Sequence, residues 1–389
     1  MFRLIGYAAA ALSALMLALF PAFCNAEEAE EDELTPELIR QIGLLDLEGW
    51  DSFFREEGFL SASGFAGADE LLLALAEGKT EEPAGLFDAL RAIARKELKA
   101  SLGVFAALAA AAAVTALPAL IPDDGIKPVL GLALCLTAAA LSVGAFSALC
   151  GRTYAAVKRA EKLTEYSVPV ISGMLAAMGS PASAGVMKPL MVFLSGTVLG
   201  SIESFALPVS AVCGVLAAAN CISGEGRLYG FVKLAGTAVR SLLGIMSAVF
   251  AGVTAVRGMT MGLKDGVAIR TARYALGRMV PIVGSMVSGT AESIMGCALL
   301  VKNGIGAAAA LLIVSVMAAP IFALVSALVI FRAAAAFSGA FADMRIVRLY
   351  SDMAEAIKNL LACTAAAASM FAAVVAVFIA AGGMTAGLW

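Results

Sequence analysis

Two glutamates lie in strongly apolar stretches of the chain, where an ionised side chain is costly. Glu203 and Glu292 each follow a Ser-Gly-Thr tripeptide and precede a serine, although the spacing differs. A charge at the centre of a bilayer costs about 2.5–3.5 kcal/mol on insertion scales, so such residues face a partner or a wet cavity. With Lys188 and Lys302 they predict an ion or solute pathway. The alternative is that they are buried polar residues that hold helices together, or carboxylates at the membrane interface.

Other chemistry is poorly represented in the sequence. The chain has no histidine, which excludes Ser-His and Cys-His catalysis and histidine metal ligation. Its seven cysteines form no CxxC pair, and it contains no GxxxxGK(S/T) phosphate loop. We therefore predict no catalytic residue, no metal site and no cofactor, and we expect a protein that is not an enzyme.

Glycines recur at a spacing of four, which places them on one face of a helix. The pairs are Gly196 with Gly200 and Gly258 with Gly262. In lipid, helices associate by close packing, and glycine at this spacing lets their backbones approach. We predict that these four glycines pack helices in a compact bundle. The same spacing also suits contacts between copies of the chain, so a homo-oligomer is an open alternative.

The composition of the chain predicts the kind of structural element that positions these residues. Apolar residues make up 61% of the 389-residue chain and charged residues only 15%, with a mean hydropathy of +0.92. Soluble domains have about 25% charged residues. We therefore expect an all-α, polytopic membrane protein whose main partner is the lipid bilayer.

The chain divides into three predicted parts. Residues 1–26 resemble a signal peptide, with a basic start, an apolar stretch and the small residues Cys24-Asn25-Ala26 at a cleavage site; an uncleaved first span is the alternative. Residues 27–100 have nineteen acidic residues against seven basic ones and predict a small extracytoplasmic helical region. Residues 101–389 are the polytopic membrane domain.

Apolar stretches long enough to cross a bilayer recur throughout residues 101–389. We predict about six to eight spans, with interfacial helices at 152–168, 257–279 and 332–358. Pro169–Asn220 is too long for one span and predicts either two spans or a span with a re-entrant segment. The other candidate spans are Leu102–Ile121, Val129–Cys150, Leu242–Val256, Val280–Leu300, Ile305–Phe331 and Leu360–Ala381.

The orientation in the membrane is left open by two conflicting signals. A cleaved signal peptide places residues 27–100 outside the cytoplasm. Basic residues precede the first span and follow the Val129–Cys150 span, and basic residues favour the cytoplasmic side. We favour the orientation given by the signal peptide, because its three parts agree with one another.

Several strings in the chain resemble the stage III sporulation protein AE family of endospore-forming bacteria. One is Met178-Gly179-Ser180-Pro181-Ala182-Ser183-Ala184-Gly185 before Lys188-Pro189. The others are Lys264-Asp265-Gly266-Val267-Ala268-Ile269-Arg270-Thr271-Ala272, Pro281-Ile282-Val283-Gly284 and Leu300-Val301-Lys302-Asn303-Gly304. The resemblance is strongest from about residue 165 to the end, and residues 27–100 resemble the family only in character.

The resemblance implies a role in spore formation. It places the chain in the mother-cell membrane surrounding the forespore, as a multi-pass subunit of a channel or export platform needed for forespore development. The implied partners are the other stage III sporulation A-operon proteins and the forespore stage II protein Q; nucleic acid is not among them. The family supplies no catalytic residues to transfer to this chain.

Two other functions are compatible with the same residues. One is a self-contained secondary transporter, which broken helices and the Glu203/Glu292 near-repeat would suit. The other is a membrane scaffold that assembles partners without transporting anything. The sequence does not identify a transported solute.

Overall fold

The computed structural model describes most of the chain from residue 39 onward. The described ranges are 39–40, 42–43, 45–56, 67–76, 84–115, 127–178, 181–223, 228–279, 284–340 and 342–386. Within them, the side chains of residues 54–56, 84–89, 127–128, 181–182, 258–297 and 381–386 are not described. The predicted signal peptide, residues 1–26, lies outside the described residues.

The described part of the chain is helical and contains no strand, as expected from its many strong helix formers such as Ala and Leu. In chain order the helices are α1 (Glu48–Glu56), α2 (Ala68–Ala76), α3 (Ala84–Val114), α4 (Lys127–Ala177), α5 (Pro181–Val192), α6 (Leu207–Ser223), α7 (Tyr229–Met279), α8 (Gly284–Ser338) and α9 (Met344–Ala386). Two π-helical segments, Phe193–Leu199 and Ile202–Ala206, join α5 to α6.

Six helical stretches in the described residues are long and apolar enough to cross a membrane, within the predicted range of six to eight. They are Leu90–Val114, Val129–Ala177, Ser183–Ser223, Tyr229–Arg257, Ala298–Ser338 and Met344–Ala380. The prediction of an all-α, multi-pass membrane protein is confirmed.

The helices continue through segments that the sequence analysis treats as separate. Residues 152–168 lie inside α4, residues 257–279 inside α7, and residues 332–358 are divided between the end of α8 and the start of α9. The predicted spans Val280–Leu300 and Ile305–Phe331 share α8 from Gly284 onward. Basic side chains do not end a helix, so the loss of hydropathy in these segments marks no break in the backbone.

The core of the molecule is the antiparallel hairpin of α8 and α9. Most residues of α8 from Ile305 to Met317 are buried, and many are alanines that allow close packing. A Cβ atom at Gly306 would lie 2.5 Å from Cγ1 of Ile379, so glycine is required where these two helices meet.

A second antiparallel hairpin, formed by α4 with the chain from α5 to α6, packs against this core. Its helices meet at Gly214, where an added Cβ would lie 2.2 Å from the buried ring of Phe146. The hydroxyls of Ser142 and Thr164 in α4 and Ser210 in α6 donate to the carbonyl oxygens four residues earlier. Each hydroxyl is thereby satisfied without a partner from solvent.

The two short N-terminal helices pack onto the bundle. Trp50 of α1 is buried, and its Nε1 donates to the Ser167 hydroxyl of α4 at 3.3 Å. The carboxylate of Asp51 accepts from the Ala68 backbone N–H at 2.8 Å and so holds the start of α2. The backbone of α2 in turn lies within 3.3 Å of where a Cβ at Gly304 of α8 would be.

Candidate functional site

A polar cavity of about 710 Å³ lies between the end of α6, the first part of α7 and the first part of α9. Ligand pockets are commonly in the range of about 300–1,000 Å³. The charged and amide side chains that line it are Asn220, Lys233, Arg240, Arg348, Asp352, Glu355 and Asn359. All seven lie in helical stretches that qualify as membrane spans.

Helical spacing explains why these side chains converge. Lys233, Gly236 and Arg240 follow one another at intervals of three and four along α7, and so share one face. On α9 the same rule aligns Arg348, Asp352, Glu355 and Asn359. A Cβ at Gly236 would lie 3.0 Å from Nδ2 of Asn359, so the glycine permits the close approach of α7 and α9 at the cavity.

One wall of the cavity is a network of charges centred on Glu355. Its carboxylate pairs with the guanidinium of Arg332 from α8, with Nζ of Lys358 at 3.4 Å and with Arg240 at 3.7 Å. Arg240 also donates to Oδ1 of Asn359 at 3.1 Å. One anion thus serves three cations from three helices, and this region of the site has a surplus of positive charge.

The floor of the cavity is made of acceptors. Asp352 is 8% exposed and Asn220 is 7% exposed. Arg348 lies one helical turn before Asp352 on the same face of α9. Among the described residues, the Oδ1 atom of Asn220 has no hydrogen-bond partner. A buried polar atom without a partner is costly, so this oxygen is suited to accept from a bound group.

Two cationic side chains at the mouth of the cavity are available to a ligand. Lys233 and Arg348 are exposed. No hydrogen bond or ion pair with another described residue engages either of them. Among the described residues, no group of three or more Cys, Asp or Glu side chains is placed to hold a metal ion. The site is therefore suited to bind polar groups through hydrogen bonds and charge.

The structure places Glu203, a predicted pathway residue, outside this cavity. It lies in the second π-helical segment, where the Tyr154 hydroxyl donates to its carboxylate at 2.5 Å and Lys158 pairs with it at 3.3 Å. Both partners belong to α4. A π-helical segment often marks a functional site, but the charge of Glu203 is already balanced by Lys158.

In the part of the chain that the structure describes, neither Lys188 nor Lys302 is joined to Glu203. Lys302 is 1% exposed, and its Nζ donates to the Ile379 carbonyl oxygen at 2.6 Å. Lys188 is exposed on α5, and the side chain of Glu292 lies outside the described residues. No hydrogen bond or ion pair between described residues joins Glu203, Lys188 and Lys302.

Of the predicted packing glycines, two can be assessed. No other helix lies within 4 Å of where a Cβ at Gly196 or Gly200 would be. The helices approach closely instead at Gly214, Gly236 and Gly306. A packing role for Gly196 and Gly200 stays a prediction. Gly258 and Gly262 lie in α7, in the part whose surroundings are not described.

The cavity residues were not among the residues predicted from the sequence. Arg348 and Lys358 fit a helix at the membrane surface, but Asp352, Glu355 and Asn359 share a helical face with Arg348. That alignment of charges and amides inside a candidate span was the available signal. Asn220 gave no signal, because its importance depends on the contact between α6 and α9.

Comparison with known proteins identifies the family of this chain. The family model for Stage III sporulation protein AE matches residues 68–382. Among curated proteins, Stage III sporulation protein AE of Bacillus subtilis (strain 168) is 23% identical over 218 residues. The match covers 56% of this chain and 55% of the relative, so the chain spans about half the length of the curated relative it matches. No solved structure matches the chain. Since the family model covers most of its length, the chain belongs to the Stage III sporulation protein AE family of sporulation membrane proteins.

Proposed function

We propose that this chain is a channel or export-platform subunit of a transport complex that joins the mother cell to the forespore. In this proposal it acts in the mother-cell membrane around the forespore, together with other stage III sporulation A-operon proteins. Membership of the sporulation family supports the setting, and the cavity between α6, α7 and α9 supports the transport role.

The observation on which the proposal depends is a charged cavity lined by residues of three candidate membrane spans. Ionisable side chains inside membrane helices are rare, and they usually mark a path for ions or polar solutes. Here three basic and two acidic side chains line one cavity. A scaffold that only holds partners together would not need such residues within its spans.

A secondary transporter is the second candidate, and the π-helical segments favour it. Transporter sites are typically built around interrupted membrane helices, and Phe193–Leu199 and Ile202–Ala206 interrupt the regular helix between α5 and α6. Solute flux into liposomes that contain only the purified chain would support this candidate. A requirement for partner proteins would support the channel subunit. The pathway role of Glu203, Glu292, Lys188 and Lys302 stays a prediction within either candidate.

Filling the cavity tests the proposed function. Ser351 of α9 lines the cavity, and Ser351→Trp would place a large ring inside it. In the organism that encodes the chain, we expect the variant to lower the expression of a late forespore reporter gene about tenfold. The reason is that a Trp side chain, which buries about 150–250 Å² of surface, would fill much of the cavity.

The matched control is Ser369→Trp, which introduces the same side chain on the same helix. Ser369 is exposed and lies outside the cavity, so this variant should leave the reporter unchanged. Membrane levels of both variants are measured by immunoblot. Normal reporter activity in Ser351→Trp at normal protein levels would refute a transport role for the cavity and favour the scaffold.

A further inference from the structure

The cavity has hydrogen-bond acceptors at its floor and cations at its mouth. The floor holds the Asp352 carboxylate and the Oδ1 atom of Asn220, both on side chains more than nine-tenths buried. Asn220 Oδ1 has no hydrogen-bond partner in the part of the chain that the structure describes. A ligand that reaches the floor must therefore bring an N–H or O–H donor, and a positive charge on that donor suits the carboxylate.

The mouth requires the opposite chemistry. Lys233 and Arg348 are exposed, and neither forms a hydrogen bond or ion pair with another described residue. Glu355, which pairs with Arg240, is shared among three cations. The guanidinium of Arg348 and the ammonium of Lys233 thus remain able to bind a carboxylate or a phosphate.

We propose that this cavity binds a small zwitterion, whose ammonium group lies against Asn220 and Asp352 and whose anionic group lies against Arg348 and Lys233. A simple anion would leave Asn220 unsatisfied and would meet the Asp352 carboxylate. A simple cation would have to pass three basic side chains at the wall and mouth. A zwitterion satisfies both ends, and the volume of about 710 Å³ is ample for one.

Two sources supply this chemistry, namely a free amino acid and the headgroup of phosphatidylethanolamine. The zwitterion proposal rests on the proposed function in one respect, namely that this cavity is the site where a solute binds. The binding test below uses the purified full chain without partners. A failure to bind would therefore overturn the proposal of a zwitterionic ligand. The transport role would still be tested separately by the forespore reporter.

Binding is measured with the full chain in nanodiscs of phosphatidylcholine, whose quaternary ammonium has no N–H donor. The probes are the twenty common amino acids and phosphoethanolamine, each followed by isothermal titration. Glycine betaine and phosphocholine are the paired controls, because they keep both charges but cannot donate to Asn220. We expect at least one N–H zwitterion to bind saturably, and the quaternary controls to bind about tenfold more weakly.

The outcomes separate the two sources. Binding of an amino acid supports a free solute, whereas binding of phosphoethanolamine alone, repeated with phosphatidylethanolamine in the nanodiscs, supports a lipid headgroup. Equal binding of the quaternary controls would overturn the assignment of the floor. The absence of binding by every N–H zwitterion would overturn the proposal.

Variants identify the residues responsible. Asn220→Leu removes the unpaired acceptor at similar volume, and Arg348→Gln removes a cation at the exposed mouth. Each should weaken binding about tenfold. Asn303→Leu, a matched substitution on α8 outside the cavity, should bind as the unchanged chain does. If all three variants bind alike, the ligand does not occupy this cavity.

Discussion

The described acidic side chains and the buried Lys302 of the candidate spans differ in how their charges are compensated. Glu203 is paired with Lys158, Glu355 is shared by three cations, and the ammonium of Lys302 donates to a backbone carbonyl oxygen. At the cavity floor, no ion pair with another described residue engages Asp352. Uncompensated charge is expensive in a membrane helix. The residue with the weakest compensation is therefore the best candidate for binding a solute.

Substitutions of Lys302 distinguish a role in helix packing from a role in a solute pathway. Its side chain is 1% exposed between α8 and α9, and Nζ lies 5.9 Å from the centre of the Phe378 ring. Lys302→Met keeps most of the volume and should change the free energy of unfolding by less than about 1.5 kcal/mol. Lys302→Ala should cost about 2–5 kcal/mol, because it leaves a cavity in the core.

Thermal unfolding of the two variants in detergent measures this difference. We expect Lys302→Met to support normal late forespore expression, since the structure gives Lys302 a packing contact. A stable Lys302→Met protein that abolished expression would contradict this view and return Lys302 to the predicted pathway.

At the level of elements, the long helices decide where the site lies. Helices of 51 residues such as α4 and α7 extend about 76 Å, more than twice the hydrocarbon thickness of a bilayer. One bilayer therefore cannot cover their full length, and apolar and polar segments alternate along a single helix. The cavity forms where the polar starts of α7 and α9 meet the end of α6.

The contact between α4 and α6 depends on a single glycine. In Gly214→Ala the new methyl group would overlap the ring of Phe146, which is 3% exposed and has little room to move. We expect a loss of about 1–3 kcal/mol in the free energy of unfolding from this overpacking. The measurement is thermal unfolding of the purified protein in detergent.

Gly144→Ala is the control for this substitution. It lies two residues from Phe146 on the same helix, and nothing lies within 4 Å of its added Cβ. This variant should be neutral or slightly stabilising, because alanine favours the helix over glycine. If Gly214→Ala unfolded at the same temperature as Gly144→Ala, the close approach of α4 and α6 would be wrong.

Hydropathy was sufficient to predict the helical, multi-pass class, because that class depends on local composition. It failed for helix continuity, since a charged stretch such as residues 152–168 changes hydropathy without breaking the backbone. The cavity could not be predicted from the sequence for another reason. Asn220, Lys233 and Asp352 lie far apart in sequence, and only the packing of α6, α7 and α9 brings them to one cavity. Spacing along one helix contains no information about such contacts.

In the molecule as a whole, the described surface of the bundle is more apolar than that of a soluble protein, and the interior contains a few buried polar side chains. Large apolar side chains such as Val129, Phe231, Leu234 and Ile245 are more than 60% exposed, which suits a surface that faces lipid. Asp352, Asn359 and Asn220 are buried and line the cavity. A transport role for the cavity therefore requires that water reach the cavity while lipid covers the outside of the bundle.

The most direct test of this arrangement is the reactivity of single introduced cysteines in membranes. Ser351→Cys lies in the cavity and Ser369→Cys on the exposed face of the same helix. Each is treated with a charged, membrane-impermeant thiosulfonate applied to either side, and labelling is compared with that of the unsubstituted chain. We predict that Ser351→Cys is modified and Ser369→Cys is protected by lipid. Modification of Ser369→Cys with protection of Ser351→Cys from both sides would contradict the account.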